Sequence, residues 1–242
     1  MRKAPTALVL VCLLASSAWA KGSSQSGSDN VSAQDAFNRA ADAALALKSA
    51  RFSLKREGMP AVLDEKHGVT FTAADCVYSA PDRVSCDIKA SLKNGNIFRL
   101  TRVWVPEGTF QSNPLTHQFG MVPPDSNFNG VALFARTGIP AIAKTAIQKP
   151  EVVGRENLQN RETLHLKGEV SGAKLNPFMG STLKPGLTYQ VDLWVDEKTG
   201  APVQIHFTEP GGNGWLIDFS GIDEPIHIPT PQLPPPPELQ RP

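Results

Sequence analysis

Apolar and polar side chains alternate with a period of two along most of this chain, and that rhythm restricts the fold more than any other feature. Val84, Cys86, Ile88, Ala90 and Leu92 alternate with Ser85, Asp87, Lys89 and Ser91, which predicts a strand with one greasy and one wet face. The rhythm recurs in Phe98 and Leu100, in Leu164 and Leu166, in Tyr189, Val191, Leu193 and Val195, and in Val203, Ile205 and Phe207. Turn-forming residues punctuate these runs at Ala80-Pro81-Asp82, Lys93-Asn94-Gly95-Asn96, Glu197-Lys198-Thr199-Gly200 and Gly211-Gly212-Asn213-Gly214. Links this short join antiparallel neighbours. The expected fold is therefore α+β: a largely meandering antiparallel sheet, greasy on one side.

Few segments break the rhythm. Ser32 with Asp35 forms a capping box, and Phe37, Ala41, Ala44, Leu45 and Lys48 follow at helical spacing, which predicts one amphipathic helix running to about Ser49. Residues 129–147 are apolar nearly all round, divided by Gly138 and Pro140, and residues 171–180 read as a short helix interrupted by Pro177. Both lie between strand runs, so they should cross the sheet rather than extend it.

The two ends carry other signals. Arg2 and Lys3, an apolar run from Ala7 to Leu14, and Ala18-Trp19-Ala20 before Lys21 predict a secretory signal peptide over residues 1–20. The run is too short for a stable transmembrane anchor. Cys12 has Val11 before it, where a lipid-modified cysteine requires a small residue. Residues 21–31 are rich in Ser and Gly and should form a disordered linker, residues 32–229 one domain, and residues 230–242 an extended Pro-rich tail. The chain is expected in the periplasm, in the cell envelope or outside the cell.

Removing residues 1–20 takes Arg2 and Lys3 from 24 basic residues and leaves 23 acidic ones, so 22 cations face 23 anions. Near-neutrality argues against a nucleic-acid or anionic-surface partner, both of which need a concentrated positive field. Two cysteines survive maturation. With a turn centred on Pro81, Cys76 and Cys86 stand opposite each other, as do Tyr78 and Val84, which predicts a structural disulfide.

Chemistry-bearing patterns are few. His67, His117, His165, His206 and His227 share no ligand spacing with one another or with a cysteine, so no metal site is assigned. His165 and Glu169 share a strand face but stand far apart. Asp64-Glu65, Asp196-Glu197 and Asp223-Glu224 fall at predicted turns, and no nucleophile elbow, phosphate loop or dinucleotide fingerprint is present. No catalytic residue and no cofactor is assigned.

A long one-sided sheet must cover its greasy face, and the helical segments offer little cover. Either the sheet closes into a packed barrel or it curls around a space that a ligand fills. An acyl chain suits such a space, because a buried methylene contributes about 0.8 kcal/mol and a chain of about sixteen carbons gains on the order of 12 kcal/mol gross. The candidate lining comprises Ile88, Leu100, Leu166, Val191, Leu193, Ile205 and Phe207 from strands, with Leu133, Phe134, Ile139 and Ile142 as a lid or wall.

Several motifs resemble the LppX/LprG group of mycobacterial lipoproteins. They are Gly154 with Glu156 at a strand start, Gly168 to Val170 at a strand end, the Val-x-x-Trp-Val-Asp pattern of residues 191–196, the Pro225 to Pro229 closing stretch, and LKSARFSL at residues 47–54. The resemblance implies a LolA/LolB-like half-barrel wrapped over helices around a hydrophobic cavity, with an acylated lipid or glycolipid as ligand and an envelope transport partner. Two features depart from the pattern: the anchoring lipobox cysteine is missing, and the Cys76–Cys86 pair is additional. The alternatives are a sensor or protein-interaction module on a LolA-like scaffold, similar to envelope-stress regulators, and an envelope hydrolase.

Overall fold

The computed structural model describes residues 32–123, 128–179 and 183–235; the signal peptide, the Ser/Gly linker, Cys12 and the end of the tail lie outside them. The chain begins with helix α1 (Ala33–Ala46), followed by strands β1 (Ser49–Glu57), β2 (Ala61–Asp64), β3 (Val69–Ser79), β4 (Arg83–Ser91), β5 (Ile97–Val105), β6 (Gly108–Ser112) and β7 (Phe119–Val122). A short 3-10 helix (Gly130–Leu133) and α2 (Ile139–Thr145) follow. Then come β8 (Gln148–Leu158), β9 (Arg161–Ser171), α3 (Gly172–Met179), β10 (Thr188–Asp196), β11 (Pro202–Thr208) and β12 (Gly214–Ser220).

All strands belong to one antiparallel sheet in the order β7-β6-β5-β4-β3-β1-β12-β11-β10-β9-β8, with β2 paired to β3 outside that path. This is the α+β architecture expected from the sequence, a curved antiparallel sheet with a few helices. It contains a single long-range join: β1 pairs with β12, Phe52 opposite Phe219, so a β2–β7 meander and a β8–β12 meander meet along the middle of the sheet. Alternation sets the faces as read. In β4, Val84, Cys86, Ile88 and Ala90 are buried, and in β10 so are Tyr189, Val191, Leu193 and Val195. Cys76 pairs with Cys86 and Tyr78 with Val84; the cysteines form a disulfide with their Cα atoms 4.1 Å apart, the close spacing of a non-hydrogen-bonded pair.

Helix α1 stops at Ala46, earlier than the expected Ser49, because Leu47 is already extended and Ser49 opens β1. At its start Ser32 Oγ accepts from the Asp35 amide at 3.1 Å and donates to the Asp35 carboxylate at 2.6 Å. Its buried face is Ala36, Phe37, Ala40 and Ala41, with Ala44 and Leu45 half-buried; the small residues let it lie close to α2, β8, β9 and β11. Pro140 sits in the first turn of α2, where a missing amide costs no hydrogen bond. Gly138 before it is obligatory, since a Cβ would come within 1.7 Å of the Ala132 carbonyl oxygen. Pro177 does not interrupt α3, which runs on to Met179.

After β12 the chain doubles back as a strap across the convex face. The Asp223 amide donates to Ser49 O at 2.9 Å, Ser79 Oγ to Ile226 O at 3.2 Å, and Arg83 Nη1 to Ile228 O at 3.2 Å and Thr230 Oγ1 at 3.3 Å. Ile226 and Ile228 pack on Val77, Val103, Val105, Phe110 and Phe119, a second small core behind the sheet.

Candidate functional site

The helical pieces fill the hollow unevenly. Helix α1 lies over β8, β9 and β11, α3 over β9, and the 3-10 helix over β4. Phe134, just past the 3-10 helix, plugs the middle of the concave face: its ring stacks on Tyr78 with centroids 3.8 Å apart and meets Phe52 and Phe219 edge-on at 5.7 and 6.3 Å. Under α1 and α2, Ile139, Ile142, Val191, Leu193, Ile205 and Phe207 close on a crevice of about 30 Å³ together with Phe37, room for about one water. Leu166 and Leu133 are buried in the packed core.

The β2–β6 end is different. A cleft of about 330 Å³ opens there, lined by Leu63 and Asp64 of β2, Val69, Phe71 and Ala74 of β3, Ile88 of β4, Phe98, Leu100 and Arg102 of β5, Gln111 of β6, Pro114 and Phe128. Of the eleven residues expected to line a hollow, the structure brings Ile88 and Leu100 to this cleft, six to the crevice, and Leu133, Phe134 and Leu166 to the core. Phe128 walls the cleft by packing edge-on to Trp104 at 5.6 Å and to Phe178 of α3 at 5.3 Å.

Three polar residues, Asp64, Arg102 and Gln111, interrupt an otherwise apolar lining. Arg102 donates from Nε and Nη2 to Gln111 Oε1 at 3.1 and 2.5 Å and holds its guanidinium 5.9 Å from the Trp104 ring. Asp64 lies at the mouth, where it receives the His67 amide at 3.0 Å and faces His67 Nδ1 at 2.7 Å. The hydrogen bond from His67 holds its carboxyl below the usual carboxylate range.

Sequence reading did not see this cleft. Phe98, Leu100, Arg102 and Trp104 share one face of β5, but an arginine at the third position breaks the apolar signal, and Pro114 and Phe128 come from segments without periodicity. It also missed a cluster on the convex face. His165 does not work with Glu169; its Nδ1 lies 2.9 Å from Glu156 Oε1 on β8, its Nε2 2.9 Å from Asp192 Oδ1 on β10, and its ring stacks on Trp194 at 4.2 Å. Trp194 Nε1 donates to Glu156 Oε2 at 3.0 Å, and this bond, with that to His165, lowers the Glu156 pKa. The cluster knits the edge of the sheet and lies away from the cleft. Among the described residues no group of His, Cys, Asp or Glu is arranged to hold a metal ion, and no helix is long and apolar enough to cross a membrane.

The LppX_LprAFG lipoprotein model matches residues 32–228. The chain belongs to that family. No curated protein sequence matches it significantly. Among solved structures it is similar to LprF from Mycobacterium bovis, at 16% identity and a TM-score of 0.65 over 82% of this chain and 96% of that one. It is also similar to the Mycobacterium tuberculosis lipoprotein LppX, at 14% identity and a TM-score of 0.57 over 84% of this chain and all of that one. These likenesses establish the shared fold. Within this chain Glu156 and Trp194, quoted from two separate motifs, are hydrogen-bonded to each other.

Proposed function

We propose that this family member is an exported lipid-binding protein that takes an acyl chain of a lipid or glycolipid into the β2–β6 cleft and carries it within or across the cell envelope. The observation that carries this reading is the cleft itself: about 330 Å³ of space with a lining dominated by Leu63, Phe71, Ile88, Phe98, Leu100 and Phe128, in a sheet whose other half is filled. That volume lies at the lower end of ligand sites and matches on the order of ten water-sized groups, hence one acyl segment of about ten methylenes. Such a segment gains on the order of 8 kcal/mol gross, which the cost of association reduces substantially. A lipid with several chains requires the walls to part. Transport of this kind assigns no bond-making step to any residue.

The test is organic extraction and native mass spectrometry of protein purified from its own host, paired with titration by a fluorescent fatty acid. Co-purifying acyl species and saturable uptake are expected. An empty protein that also takes up no fatty acid removes the reading.

A further inference from the structure

The cleft is apolar along its length and charged at its two ends. Arg102, the only cation among its described lining residues, marks the inner end: on β5 it stands between Leu100, which faces the cleft, and Trp104, which packs on Phe128. Asp64 marks the other. Arg102 stands opposite Cys86, Cys86 opposite Cys76, and Asp64 opposite Val69. Cys76 and Val69 are seven positions apart on β3, so the two charges are separated by on the order of 20 Å along the strand. Phe71, Ala74, Ile88, Phe98 and Leu100 line the interval. Such a lining suits one aliphatic chain with a charged end.

The cation is set in place before any ligand arrives. Arg102 is half-buried, its guanidinium lies 5.9 Å from the Trp104 ring, and its Nε and Nη2 both donate to Gln111 Oε1. That edge of a guanidinium is the side-on fork that a carboxylate fills with two oxygens. Here one neutral amide oxygen serves both donors, although a charge-assisted bond is roughly twice as strong as a neutral one. Gln111 is also half-buried and lines the same cleft, so a change of its rotamer alone presents the fork to a ligand. An anion entering an apolar cleft needs such a partner to offset its lost hydration. The far end sets the direction. Asp64, whose carboxylate faces His67, repels an anion at the mouth, so the charged head lies inward at Arg102 and the tail trails outward.

We propose that Arg102 and Gln111 form a head-group subsite that takes a single-chain lipid by an oxyanion, a carboxylate or a phosphate monoester, with the tail along Leu100 and Phe98 toward the mouth. The inference rests on the lipid-carrier reading and deepens it, because it narrows the cargo from acylated lipids in general to acidic ones with one chain. A neutral head of the same length gains only a neutral hydrogen bond there.

The test is calorimetric titration of the mature chain with decanoate, decyl phosphate, decanol and methyl decanoate at about pH 8, where the carboxylate is fully ionised. At least one of the two anions should bind tenfold or more tightly than either neutral compound, and the tighter anion tells a fatty acid from a lipid phosphate. Arg102→Met, which keeps length and loses charge, should weaken that anion by tenfold or more and leave decanol unchanged, a selectivity that a merely structural role would not move. Gln111→Glu fills the fork with the protein's own carboxylate and should produce the same loss; it carries the test if Arg102→Met melts early. Equal affinities for anions and neutral compounds, or an unchanged preference in the folded variants, overturn the subsite and leave the acyl cleft in place. Binding of none of the four compounds overturns the carrier reading instead.

Discussion

The two halves of the sheet are built from the same alternating strands and end in opposite states. On the β8–β12 side, Val191, Leu193, Ile205 and Phe207 meet α1 and α2 and leave about 30 Å³; on the β2–β6 side, Phe71, Ile88, Phe98 and Leu100 leave about 330 Å³. Strand pattern does not separate the two. What separates them is the position of the helices, because a greasy face becomes core where a helix is docked on it and a cleft where none reaches. The filled half acts as the rigid frame from which the open half is held.

That contrast can be broken in several ways. The largest effect belongs to the filled half: Leu166→Ala, at a fully buried site, should lower unfolding free energy by about 3 kcal/mol in chemical denaturation, whereas Leu100→Ala at the cleft wall should lower it by about 1 kcal/mol. Equal losses would erase the distinction. Next, reducing Cys76–Cys86 or replacing both by alanine should cost about 2 to 3 kcal/mol, measured by thermal melts with and without reductant. Beyond that, Leu100→Trp should fill the cleft and weaken fatty-acid uptake at least tenfold with little change in melting temperature, while Leu193→Trp should cost about 1 to 3 kcal/mol through overpacking and leave uptake unchanged in the folded fraction. The smallest effect is in acid. Hydrogen bonds from Trp194 and His165 depress the Glu156 pKa below its ordinary 4.5, so the stability it contributes is complete above that value and is lost as pH falls through the folded-state pKa. Glu156→Gln should flatten this part of the acid denaturation curve by less than about 1 kcal/mol.

The sequence displayed strands where one face is dry and the other wet. β4 and β10 were legible for that reason, and Cys76 opposite Cys86 followed from a single turn. β8 was not legible as alternation, because it is an edge strand with most side chains exposed and so carries no two-faced pattern. The α1 face was read as Phe37, Ala41, Ala44 and Leu45, yet packing chose Ala36 and Ala40 beside Phe37 and Ala41, where short side chains permit close approach. The greasy lining was identified as a set, but its division was not. Which inward residues meet α1 and which meet open space depends on where the chain from residue 128 to 147 crosses, and nothing local in the strands encodes that. Glu156, His165 and Asp192 stayed invisible for a related reason, since they come from three strands and meet only through register.

The strap has a practical corollary. Its hydrogen bonds carry the chain from Ser49 past Ser79 to Arg83, beside the β3–β4 turn and at the opposite pole from Asp64 and the cleft mouth. A fluorophore or immobilisation handle attached near Leu233 would therefore sit behind the molecule, leaving the entrance unobstructed, so a carrier fixed to a sensor chip by its C-terminal segment should still exchange its cargo.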